Sequence, residues 1–112
     1  MDTSQLRELQ APLKQMYKDD PQTARTPLRA SGDFSAPGVT ATVASWAGPV
    51  RAGLHRATGG DGSDACSGDM LLEALVACAG VTLRSVATAM RVEVRSASLV
   101  ADGYFDARGT GL

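Results

Sequence analysis

The chain has 112 residues, enough for one domain, and a domain of this size should bury only roughly two thirds of its unfolded surface. Its 11 basic and 12 acidic residues give a formal net charge of −1, which provides no electrostatic signal for a nucleic acid or a membrane as partner. The two cysteines favour free or redox-active thiols over a structural disulfide, because the chain reads as an intracellular one.

The distribution of apolar residues indicates where the protein resides. The longest apolar run, residues 74–83, is far shorter than the roughly 20 residues that a bilayer span needs. The first ten residues are polar and lack the basic and apolar regions of a secretory signal. The sequence therefore predicts no transmembrane helix and a cytoplasmic protein.

The first predicted element is an amphipathic helix over residues 3–18. Its apolar positions recur at near-helical spacing: Leu6, Leu9, Leu13, Met16 and Tyr17. Thr3 or Ser4 could cap its start, and Asp20 followed by a proline ends it. Pro12 lies inside the pattern, so the helix is expected either to kink there or to start afresh at that residue.

A β-rich part follows, with short runs of β-prone residues at Thr26–Ala30 and Val39–Ser45. Turn residues separate the runs, and the second run alternates apolar and small polar residues as a half-buried strand does. These runs predict a hairpin or meander. Residues 46–68 show no helical or strand period and are expected to form a long connection.

Asp69–Met90 is predicted as one helix that is apolar on nearly every side, and such a helix is normally buried at the centre of a fold. Cys78 is therefore expected to be hidden, on one face with Leu71, Leu75 and Thr82. A helix of roughly 33 Å needs more cover than a few strands supply, so we also expect a large exposed apolar surface. A further strand is predicted at Val92–Ala101, which completes an α+β fold class.

The stretch DMLLEALVACAGVTL, residues 69–83, resembles the central helix of the OsmC/Ohr family of cysteine-based peroxidases, and residues 52–69 resemble the loop that enters it. The resemblance implies a single OsmC-like domain over residues 1–112 and a homodimer of intertwined subunits with its active site at the interface. It also implies reduction of organic hydroperoxides in oxidative stress defence. No cofactor is implied, and an external thiol would be the reductant.

Within that resemblance, Cys78 corresponds to the family's peroxidatic cysteine. An ordinary cysteine is only a few per cent thiolate at neutral pH, and mid-helix it gains nothing from the helix dipole, so a cation must favour the thiolate. The family supplies an arginine from its β-rich part, for which Arg29 and Arg51 are both candidates. Asp69 corresponds to an acidic residue that holds this arginine, or else it only stabilises the start of the helix.

Cys66 is a second thiol without an assigned function. Twelve residues of mostly helical chain separate it from Cys78, which places the two Cα atoms roughly 18 Å apart, whereas a disulfide needs 4.4–6.8 Å. The family's resolving cysteine belongs to a C-terminal half that residues 1–112 do not contain, so the chain is expected to be truncated. One alternative is therefore a catalytically inactive OsmC-like domain with a dimerisation or binding function, and another is a plain interaction domain with Cys78 in its core.

Other chemistries have weaker support in the sequence. His55 could act as a base for Cys78, but no local hydrolase signature accompanies it, and a lone loop histidine is more often structural. The glycine-rich segment at residues 59–69 lacks the ending of a phosphate-binding loop. One histidine and two well-separated cysteines predict no metal site.

Overall fold

The computed structural model describes residues 1–109 and shows two helices and a three-stranded antiparallel sheet, which confirms the mixed α+β class. In chain order the elements are α1 (Thr3–Asp19), β1 (Gly32–Asp33), β2 (Thr40–Ser45), β3 (Gly48–Gly53) and α2 (Ser67–Ala89). Short 3-10 turns lie at Pro21–Ala24, Arg56–Thr58 and Ala107–Gly109. The chain forms two compact units, the first from residues 1–28 and 77–99 and the second from residues 29–76 and the described residues from 100 onward.

The N-terminal helix α1 matches its predicted range to within one residue at its C-terminal end. Its cap is Asp2, so the predicted caps Thr3 and Ser4 are wrong. Asp2 accepts a hydrogen bond from the Gln5 backbone N–H at 2.9 Å, and the Gln5 side chain accepts one from the Asp2 N–H at 2.9 Å. This capping box satisfies two otherwise unpaired N–H groups and selects Asp2. The helix does not restart at Pro12, which lies inside it.

In the first unit, side chains of α1 satisfy the last carbonyls of α2. The Thr3 hydroxyl donates to the Thr88 carbonyl at 2.6 Å, and Arg7 Nη2 donates to the Ala89 carbonyl at 3.1 Å. The final carbonyls of a helix have no partner within the helix and carry its partial negative charge, so a guanidinium is favourable there. These contacts anchor the start of α1 to the end of α2.

The end of α2 is also closed by its own backbone. Arg91 takes a left-handed conformation with φ of 57°, and its N–H donates to the Thr88 carbonyl. The Val92 N–H donates to the Ala87 carbonyl at 2.8 Å, which completes a Schellman motif. Glycine usually occupies this left-handed position and marks the end of a helix in a sequence. Because an arginine occupies it here, the sequence did not indicate this helix end.

The second unit contains the sheet, whose order is β1-β2-β3. β2 and β3 form a hairpin that pairs Thr40 with Gly53 and Ser45 with Gly48, around a two-residue turn. The strand predicted at Val39–Ser45 is thus confirmed and begins one residue later. The predicted hairpin is wrong in its partner, because it paired this strand with residues 26–30, whereas the observed hairpin pairs it with β3.

Two predictions about the sheet were wrong. β3 lies inside the segment 46–68, which was predicted to be a long connection. The prediction missed this strand because its sequence, GPVRAG, lacks the alternation of apolar residues that is typical of a strand. The predicted strand at Thr26–Ala30 is irregular, since Pro27 has no N–H for a ladder, and the first strand is instead the two-residue β1.

The central helix was predicted to be buried, and this is wrong. α2 is one continuous helix as predicted, although it begins two residues earlier and ends one residue earlier than Asp69–Met90. Its apolar side chains are exposed, with Leu71 73% exposed and Val81 72% exposed. Cys78 is exposed as well, which overturns its predicted burial. An apolar helix is buried only where other elements supply an apolar layer, and the other described elements do not supply one along α2. No side chain among residues 1–109 is fully buried, so the predicted excess of exposed apolar surface is confirmed.

The length and composition of α2 are also those of a helix that could cross a membrane. Its 23 residues contain an 18-residue window of mean hydropathy 1.6. The sequence prediction rested on the shorter uninterrupted apolar run and did not find this window. One such helix is weak evidence for a membrane protein, because core helices of soluble proteins pass the same test.

The strand predicted at Val92–Ala101 is absent, and this segment is irregular and almost entirely exposed. The three described strands of the sheet come from residues 32–53, and none of them pairs with this segment. The only ion pair described here, between Arg95 and Glu93 at 3.8 Å, is exposed on both sides and contributes little.

Brief digestion with trypsin is expected to cut after Arg91 and Arg95 before it cuts after Arg84. Proteases need locally unfolded backbone, which the segment after α2 offers and the helix interior does not. Mass spectrometry of the earliest fragments measures the order of cleavage. Arg95→Gln should remove one early fragment and leave the others, and an early cut after Arg84 would contradict the described helix.

Candidate functional site

Cys78 is the strongest candidate for chemistry, and it lies on α2 in the part of the helix that belongs to the first unit. Its thiol is free and exposed. Large apolar side chains stand one turn away on the same helix, with Leu75 58% exposed and Val81 72% exposed. A small apolar reagent can therefore reach the sulfur from solvent.

Of the two candidate arginines, Arg51 is already engaged. It lies on β3, and its Nε donates to Asp64 Oδ1 at 2.5 Å. Backbone pairing supports this contact, because the Ala65 N–H donates to the Arg51 carbonyl and the Gly53 N–H donates to the Ala65 carbonyl. Arg51 thus ties the edge of the sheet to the loop that enters α2.

Arg29 lies in the exposed, irregular segment before β1, also in the second unit. No hydrogen bond or ion pair joins its guanidinium to another residue among 1–109. Arg29 is therefore the candidate whose charge no described carboxylate neutralises.

Asp69 occupies the first turn of α2, where a carboxylate interacts favourably with the helix dipole. Among the described residues it has no arginine partner. The geometry thus matches its helix-start function, and its function in holding an arginine stays a prediction.

Sequence reasoning missed a cavity of about 250 Å³ in the second unit. Nine residues line it: Leu54, His55, Arg56, Gly62, Asp64, Ala65, Cys66, Asp69 and Glu73. The lining includes three carboxylates, one guanidinium and the half-buried Cys66. The carbonyl of Cys66 accepts the first helical hydrogen bond from the Met70 N–H. Within residues 1–109, no three His, Cys, Asp or Glu side chains are grouped so that they could hold a metal ion.

His55 has a structural function in its loop. Its Nδ1 accepts a hydrogen bond from the Ala57 N–H at 3.0 Å and so caps the short turn Arg56–Thr58. Its ring meets Phe105 edge to face, with ring centroids 5.3 Å apart. Since Nδ1 acts as an acceptor, a neutral ring carries its proton on Nε2.

Comparison with known proteins identifies no relative of the chain. The resemblance to the OsmC/Ohr family depends on residues 52–83 of the sequence and stays a prediction. No family model, no curated protein and no solved structure matches the chain.

Proposed function

We propose that the protein is a thiol peroxidase that reduces organic hydroperoxides, with Cys78 as its nucleophile. The observation that carries this proposal is the exposed, free thiol of Cys78 among exposed apolar side chains of α2. A hydroperoxide can approach the sulfur while its organic group lies against Leu75 or Val81. The sequence around the cysteine, residues 69–83, supplies the assignment to a peroxidase.

The proposed reaction begins with attack of the Cys78 thiolate on the terminal oxygen of the hydroperoxide. The O–O bond breaks, an S–O bond forms, and the alkoxide leaves and takes a proton to become an alcohol, so Cys78 becomes a sulfenic acid. One external thiol then forms a mixed disulfide with Cys78 and releases water. A second thiol releases the reduced Cys78 and an external disulfide.

The thiolate needs a cation, which the resemblance assigns to Arg29 or Arg51. Because Arg51 already binds Asp64, Arg29 is the arginine to test first. Replacement of Arg29 by alanine should slow the reaction with peroxide more than the same change at Arg51. The proposal also includes a cytoplasmic homodimer with no cofactor and no nucleic-acid or membrane partner.

The alternative, an inactive OsmC-like domain with a dimerisation or binding function, also has an observation in its favour. The large exposed apolar surface of α2 suits association whether or not Cys78 turns over. Measured turnover separates the two functions, because the alternative requires none.

In an assay with an organic hydroperoxide and a small dithiol, the chain is expected to consume peroxide over many turnovers. Cys78→Ser should reduce consumption to the rate of dithiol alone, because it removes the attacking sulfur. Cys66→Ser is the matched control and should retain activity. Equal rates of peroxide consumption for the wild type and Cys78→Ser would refute the peroxidase function and favour the inactive domain with a dimerisation or binding function.

A further inference from the structure

Two Asp-Gly pairs lie in loops of the second unit, Asp61-Gly62 and Asp102-Gly103. In such a pair the glycine has no Cβ to keep its nitrogen away from the carboxyl group of the preceding aspartate. We propose that Asp102 is a site of spontaneous isoaspartate formation and that the fold protects Asp61 from the same reaction. This inference does not depend on the proposed peroxidase function.

The reaction needs only water. The Gly103 nitrogen attacks the side-chain carbonyl carbon of Asp102, a C–N bond closes a five-membered succinimide, and the side-chain hydroxyl leaves with the amide proton as water. Water then adds to either ring carbonyl and breaks its C–N bond. When the ring opens at the main-chain carbonyl, the backbone runs through the side chain as isoaspartate, with one extra methylene group and an unchanged mass.

Both reacting groups of the Asp102 pair are unengaged. The pair lies in an irregular, exposed stretch of the chain. Among residues 1–109 no hydrogen bond or ion pair restrains the Asp102 carboxylate, and the Gly103 N–H donates to no described backbone carbonyl. The rotation that brings nitrogen to carbon therefore breaks no described interaction.

The Asp61 carboxylate is held away from this reaction. It accepts hydrogen bonds from the Ser63 hydroxyl at 2.6 Å and from the Ser63 N–H at 2.9 Å. These bonds, the hydroxyl first, lower the pKa of Asp61 below its ordinary value. Closure of the ring expels the side-chain oxygen as water from a protonated carboxyl group, so a carboxylate kept ionised and turned toward Ser63 reacts more slowly.

Isomerisation at Asp102 would disturb a contact of the second unit. Gly103 lies near Leu72 of α2, and a Cβ on this glycine would stand 3.7 Å from Leu72 Cδ2, at van der Waals distance. An extra backbone methylene just before Gly103 would shift this glycine from Leu72, and it would also strain the edge-to-face contact of Phe105 with His55. Aged protein would therefore differ in structure from fresh protein at this loop.

The test is a storage experiment on the whole chain at mildly acidic pH and body temperature, followed by peptide mapping and labelling with an isoaspartyl methyltransferase. We expect isoaspartate to accumulate at Asp102 roughly tenfold faster than at Asp61, the lower end of the ratio expected when one exposed hydrogen bond to a charged group must be given up. Both aspartates precede glycine, so their intrinsic rates are matched.

Three controls separate the fold from the local sequence. Asp102→Glu should abolish the reaction at that position and leave the rate at Asp61 unchanged, because glutamate does not form the five-membered ring. Ser63→Ala should raise the rate at Asp61. In concentrated urea the two rates should become equal. Equal rates in the folded chain, or a ratio that persists in urea, would overturn the inference.

Discussion

One equivalent of an organic hydroperoxide is expected to convert Cys78 to a sulfenic acid without forming a disulfide to Cys66 in the same chain. α2 is continuous from Ser67 to Ala89, and Cys66 immediately precedes it. At 1.5 Å per residue the two Cα atoms stand roughly 18 Å apart along the helix, against the 4.4–6.8 Å that a disulfide allows. Without an external thiol, the oxidised Cys78 should therefore persist or oxidise further to a sulfinic acid.

Trapping the sulfenic acid with dimedone and weighing the intact chain gives the readout. The wild type and Cys66→Ser should show the same single adduct, and Cys78→Ser should show none. A quantitative Cys66–Cys78 disulfide within one chain would contradict the continuous helix as well as the proposed chemistry. Fragmentation of the labelled chain would place the adduct on Cys78.

The second large effect is expected in the state of association: the chain should form dimers or larger species at micromolar concentration. The apolar side chains of α2 are largely open to solvent, with Leu71 73% exposed, Val81 72% exposed and Leu75 58% exposed. Permanent dimers commonly bury more than about 1,000 Å² on each partner, and much of that area is apolar. Burying the apolar side chains of α2 against a second copy is therefore favourable.

Sedimentation velocity over a range of concentrations measures this association. Leu71→Asp should weaken it by roughly 10-fold to 100-fold, because burial of one leucine contributes about 1.5–3 kcal/mol. Leu28→Asp is the matched control, since Leu28 is 95% exposed and lies outside α2, and it should leave the association unchanged. A monodisperse wild-type monomer at micromolar concentration would show that α2 needs no cover.

The sequence predicted well those elements whose apolar residues recur with the period of a helix or a strand. α1 and α2 follow from apolar spacing over many residues, and β2 from a clean alternation. Burial could not be predicted in this way, because it depends on what the rest of the chain lays over a helix. The prediction missed β3 because the strand begins with a glycine and Pro49, two residues that are unusual in strands. Its pairing with β2 depends on backbone groups, which leave no sequence pattern.

For the candidate site, the sequence placed Cys78 on the correct helix but in the wrong environment. The ion pair of Arg51 with Asp64 joins residues thirteen positions apart. Beside it, Ala65 forms an isolated parallel bridge with Ala52 of β3, and no sequence pattern marks this bridge. The bridge holds the loop next to β3, and Cys66, the next residue, lines the cavity. Such contacts depend on the path by which a loop returns to the sheet, and local amino-acid composition does not predict that path.

The contact of Thr3 with Thr88 has a consequence for the order of events during synthesis. A ribosome makes α1 before α2, and the carbonyls that Thr3 and Arg7 bind lie 85 and 82 residues later in the chain. An isolated helix of this length is marginal in water, so the nascent α1 is expected to fluctuate until the end of α2 has emerged. The entropic cost of closing a loop grows only slowly with its length, but contacts between residues far apart in the chain slow folding. Although α1 is translated before α2, it is thus anchored only after α2 is complete.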